Sequence, residues 1–158
     1  MMRTLSLTGW MIGCATAASA NCTPPFTTLF ACDIMDSQSR VEFCMHDPGP
    51  SKPLQMTYNF STGLAAELAF QTTDSAASTK FMRSDDGDIV TIGTGAIHEG
   101  YVYAAFVTGR LMERPLSAQL HVYKSLDDFQ NDKGEVEIER LYCKPETILI
   151  DLDRFGPG

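Results

Sequence analysis

Three histidines, His46, His98 and His121, are the side chains whose ordinary pKa suits proton transfer near neutrality. None has a second His or a Cys at metal-ligand spacing, so each reads as structural. His98-Glu99-Gly100 reads as a turn, and His121 falls on the polar face of a strand. Asp85, Asp86 and Asp88 around Gly87 are clustered carboxylates of the kind a hard cation wants, but their spacing does not reproduce a D-x-D-x-D-G loop. Asp-Gly is a hairpin turn in its own right, and that reading is preferred. Gly93-Thr94-Gly95 begins like a dinucleotide-binding loop, yet His98 stands where its third glycine belongs. Serine chemistry lacks the G-x-S-x-G frame.

Glu135, Glu137 and Glu139 alternate as the solvated face of a strand does, and like charges so placed protect a sheet edge from pairing. Tyr101, Tyr103, Tyr123 and Tyr142 suit an aromatic binding surface, although strand aromatics more often serve the core or cross-strand pairs. The residue types therefore point to no catalytic residue, metal set or cofactor, and they leave the ligand-binding residues undetermined.

Cysteine chemistry is more informative. Residues 1 to 20 read as a signal peptide, with Arg3, an apolar stretch from Leu5 to Ile12 and an A-x-A site at Ala18-Ser19-Ala20. Cleavage after Ala20 leaves a domain over 21–158. The competing reading is a lipoprotein signal modified at Cys14, which Met11 fits poorly. The mature part keeps Cys22, Cys32, Cys44 and Cys143, spaced by 10, 12 and 99 residues. An even count without a C-x-x-C hook predicts two disulfides in a periplasmic or secreted protein.

The elements that position these cysteines are strands. Phe30, Cys32 and Ile34 share one face, as do Val41, Phe43 and Met45, so Cys32 points to the core and Cys44 away from it. Leu54, Met56, Tyr58 and Phe60, then Leu64, Ala66, Leu68 and Phe70, predict a hairpin over 53–71 turning at Ser61-Thr62-Gly63. The polar and small residues from Gln71 to Lys80 read as a loop. A second hairpin runs from Ile89 to Thr108, followed by a strand through Leu120 and Val122. Ser125-Leu126-Asp127-Asp128 suits either one capped helical turn or a loop.

In the last strand, Glu135 to Cys143, the apolar positions Val136 and Ile138 are out of phase with Leu141 and Cys143. A bulge near Glu139-Arg140 restores the phase and turns Cys143 inward. Side-chain direction then pairs Cys32 with Cys143 and Cys22 with Cys44, one of three connectivities. In the tail, Pro145 with Ile148, Leu152 and Phe155 favours a short C-terminal helix, although the alternation of Ile148, Ile150 and Leu152 also suits a strand.

Composition narrows the partners. The 158 residues carry 12 Lys+Arg and 20 Asp+Glu, a net charge of -8; loss of Arg3 with the leader leaves 11 against 20, or -9. Such a chain cannot neutralise phosphates, which argues against nucleic acid and anionic membranes as partners. It would instead be steered toward a basic envelope or host protein. No mature apolar run approaches the roughly 18 residues of a transmembrane segment.

Two resemblances follow from the residues. Leu29-Phe30-Ala31-Cys32, Arg40 to Cys44, Tyr58-Asn59-Phe60, Glu67 to Phe70, Gly100 to Tyr103 and Leu141 to Pro145 resemble, in order, small uncharacterised secreted proteins of proteobacteria. That resemblance implies a secreted β domain and no activity. The first-strand Cys32, Val41 to Phe43 and the late Cys143 distantly resemble periplasmic lysozyme inhibitors of the MliC and PliC kind, which are disulfide-bonded β-barrels. Their S-G-x-x-Y motif has only Ser61-Thr62-Gly63 as its nearest counterpart, without a following Tyr, so no inhibitory residue carries over.

The expectation is therefore an all-β domain, a small antiparallel barrel or sandwich of about eight strands with two disulfides. The expected role is non-catalytic binding, as an inhibitor of a cell-wall hydrolase such as lysozyme. The alternatives are an envelope structural or small-ligand-carrying barrel, and a hydrolase using unrecognised carboxylates.

Overall fold

The structure is a computed structural model, described over residues 22–82, 88–110, 115–131 and 137–155. The expected leader, residues 1 to 20, and Asp85, Asp86, Glu135 and Val136 lie outside these.

Among the described residues, ten strands form two five-stranded antiparallel sheets. The first sheet contains β1 (Thr27–Asp33), β2 (Ser39–His46), β3 (Gln55–Thr62), β4 (Ala65–Thr72) and β10 (Leu149–Ile150), in the order β10-β1-β2-β3-β4. The second runs β5 (Ser75–Met82), β6 (Ile89–His98), β7 (Tyr101–Arg110), β8 (Pro115–Tyr123), β9 (Glu137–Tyr142) in that order. Among the described residues the two sheets are separate and do not close into one barrel. The core lies between them, with Phe30, Val41, Phe43 and Met56 of one sheet packed with Ala96, Ala105, Val107 and Leu120 of the other.

Both disulfides have the expected partners, Cys22 with Cys44 and Cys32 with Cys143. Period-two alternation accounts for this, since Cys32 shares the core side with Phe30 while Cys44, between Phe43 and Met45, emerges on the other face and receives the segment leading into β1. The second bridge ties β1 to the end of β9, beside the isolated pairing of Ile34 with Cys143.

Four expectations require correction. The stretch read as a loop becomes β5 from Ser75 onward, because an edge strand is held by backbone bonds to β6 and needs little apolar alternation. The β3–β4 turn is Gly63-Leu64, with Gly63 at φ +59°; Leu64 stands at its tip, and a register shift opposite Phe60/Ser61 removes Ala66 from the apolar face. The bulge in β9 falls at Ile138, which is skipped between the pairs Val122 with Glu139 and Tyr123 with Glu137, and Ile138 is exposed rather than inward. Finally, the described residues of the tail contain no α-helix. Pro145–Thr147 makes one 3-10 turn, Leu149–Ile150 adds an edge strand to β1, and Phe155 returns to pack on Phe30.

The outer face of the second sheet carries its own small core beneath α1 (Leu126–Asn131), where Phe129 is buried against Phe106 and Tyr123. Ser125 caps that helix by accepting from the Asp128 N–H at 3.1 Å. The glycines of Gly93-Thr94-Gly95 are explained here: a Cβ at Gly93 would stand 2.5 Å from the Phe106 ring. Phe106 is buried and packed against Phe129 at 5.7 Å between ring centroids, so making room for a methyl group disturbs that contact, and Gly93→Ala is expected to destabilise the fold by about 1–3 kcal/mol in urea unfolding.

Candidate functional site

A cleft opens between the two sheets. From the first sheet Tyr58 and Phe60 of β3 and Leu68 of β4 face an open cleft of about 160 Å³; from the second come Tyr103, Leu120 and Val122. Strand β9 completes it with Leu141 and Glu139. The bulge at Ile138 decides which carboxylate arrives there. It leaves Glu139 on the same side as Leu141 and sends Glu137 to the opposite face, so these two glutamates do not share one solvated row; Glu135 lies outside the described residues.

The aromatic wall is preformed. Tyr58 lies 5.0 Å from Tyr103 and 5.1 Å from Phe70 between ring centroids, and Phe70 in turn stacks on His98 at 4.2 Å. His98 therefore belongs to the wall behind the cleft, while Glu99-Gly100, both at positive φ, make the tight β6–β7 turn expected there. Burial pushes the Tyr58 phenol well above its usual value, and the neighbouring Tyr103 adds to the shift. A neutral Tyr58 contributes stability in full below about pH 10, the ordinary tyrosine value, and this is lost as the unfolded chain ionises first at higher pH. The urea midpoint is expected to fall above that pH, with a shallower fall in Tyr58→Phe.

A polar cluster lies on the outer face of the second sheet. His121 Nδ1 is 2.6 Å from Glu137 Oε2 and 3.1 Å from the Tyr123 hydroxyl, and Nε2 is 2.9 Å from Gln119 Oε1. Glu137 also pairs with Arg140. His121 is thus buried against Phe106 rather than displayed on a polar face, which corrects the expectation for that residue. A carboxylate beside Nδ1 is the orienting half of a nucleophilic triad, but the described partner of Nε2 is an amide oxygen, which is no nucleophile. The cluster joins β9 to β8 through side chains.

The remaining candidates separate. His46 packs edge-on against Phe26, Tyr123 is buried in the small core, and Tyr101 and Tyr142 are exposed and apart from the cleft. Asp88 is exposed, away from the described strand cores. No group of three or more metal-ligating side chains converges among the described residues, and one carboxylate, Glu139, lines the cleft there. No described helix is long and apolar enough to cross a membrane. The cleft residues escaped the sequence reading because they come from both sheets; the shared parity of Glu139 and Leu141 was the available signal.

No family model, curated protein or solved structure matches the chain.

Proposed function

We propose that this chain is a non-catalytic binding domain of the periplasm or extracellular space, and that the inter-sheet cleft receives one apolar group of a small ligand. The observation that carries the reading is the cleft itself, open and lined by aromatic and aliphatic side chains. Two disulfides fit the oxidising compartment. Cleavage of a signal peptide after Ala20 belongs to the same proposal. A cavity of about 150 Å³ holds benzene, whereas drug-sized ligands need roughly 300 Å³ or more, so the occupant is a single ring or branched aliphatic group.

Calorimetric titration of the oxidised protein with toluene tests this. Binding is expected in the wild type and its loss in Leu141→Trp, where the indole occupies the cleft. Equal binding by both proteins, or none by either, overturns the reading.

A second reading, inhibition of a basic cell-wall hydrolase, is favoured by Leu64, which is 93% exposed at the β3–β4 tip. An acidic chain is steered toward a basic enzyme, and an exposed Leu on a tight turn suits insertion into a substrate cleft. Muramidase inhibition at micromolar protein, reduced in Leu64→Asp, supports it; undiminished enzyme activity counts against it.

A further inference from the structure

We infer that the ligand of the cleft is a small organic cation, an alkylated ammonium joined to an apolar ring, with the ring between the sheets and the ammonium at Glu139. The inference rests on the binding role proposed above and adds the charge of the ligand.

Three observations support it. Glu139 is the one charged side chain lining the cleft among the described residues; it is exposed at the mouth, and no described cation pairs with it. Arg140, its neighbour in sequence, lies on the opposite face, paired with Glu137, so the pleat and the bulge turn this basic side chain away from the site.

Second, cross-strand pairing places Tyr103, Val122 and Glu139 in one row over β7, β8 and β9. Adjacent strands are about 4.8 Å apart, so the tyrosine and the carboxylate stand roughly 10 Å from each other with the small Val122 between them. An ammonium over Val122 meets a carboxylate on one side and an aromatic surface on the other. Tyr58 and Phe60 face this row from the other sheet. Aromatic faces attract cations, and alkylated ammonium ions most readily because they are weakly hydrated.

Third, the net charge of -8 raises the local concentration of cations around the whole molecule and repels anionic ligands. A carboxylate-bearing ligand of the same size would meet Glu139 with no base among the described lining residues to compensate it.

The test compares benzyltrimethylammonium, toluene and phenylacetate in titrations of the oxidised protein, wild type and Glu139→Gln, at low and high salt. The expected result is about tenfold tighter binding of benzyltrimethylammonium than of toluene in the wild type, with phenylacetate weakest. In Glu139→Gln the ratio of cation to toluene affinity is expected to fall several-fold, and high salt to lower it likewise. Toluene binding equal to or tighter than that of the cation overturns the inference while leaving the cleft as a binding site. A cation preference unchanged in Glu139→Gln also overturns it. Binding of none of the three removes the binding role together with the inference.

Discussion

A protein carrying Cys32→Ala and Cys143→Ala is expected to lose about 4.8 kcal/mol of folding stability, against about 3.4 kcal/mol for Cys22→Ala with Cys44→Ala. The difference arises from the unfolded chain, because the first bridge closes a sequence separation of 111 residues and the second one of 22. A loop five times longer has more conformations to lose, and the entropy grows with the logarithm of its length. Native domains are stable by about 5–15 kcal/mol, so the first variant stands near the edge of unfolding at room temperature. Urea unfolding of the two double variants checks the ranking. Equal losses would show that the long loop is not what the Cys32–Cys143 bridge constrains.

Phe43→Ala is expected to cost about 3–5 kcal/mol. Phe43 is fully buried at the middle of β2 and meets Phe30 and Tyr58 edge-on, at 6.1 Å and 5.1 Å between ring centroids. Its removal leaves a void under the aromatic wall that the two neighbouring strands cannot close, since both are tied in register to β2. Phe43→Leu, which keeps most of the volume, is expected to cost less than half as much. A small loss in the Ala variant would mean that the inter-sheet core can collapse around the gap.

How far the sequence reveals this molecule depends on how local each decision is. Alternation in Phe30-Cys32 and Val41-Phe43-Met45 reports directly which way each side chain points, and the disulfide partners follow from it. The Glu99-Gly100 turn is equally local, since both residues need positive φ. Strand β5 is not legible because Ala77, Ser78 and Thr79 carry no apolar period; their pairing with Gly93 and its neighbours is decided by β6. The phase slip in β9 is visible, but its place is not, because Ile138 is apolar and yet skipped, and pairing with Tyr123 and Val122 determines which residue is left out.

The candidate site is the least legible part. Tyr58 and Tyr103 are 45 residues apart in the sequence and meet only when the sheets pack. His121 shows the same dependence. Its position on the outer face of β8 is readable from alternation, whereas its burial requires Phe106, α1 and the bulge that delivers Glu137.

In the proposed function the cleft between the sheets is a receptor for an apolar group. Methyl carbon–proton NMR spectra of the oxidised protein, recorded while toluene is added, test it most directly. The account predicts saturable shifts concentrated at Leu68, Leu120, Val122 and Leu141, with Leu64, Leu149 and Leu152 on the exposed surface unmoved. Shifts confined to those three exposed leucines, or spread evenly over the methyl groups without saturation, would contradict it.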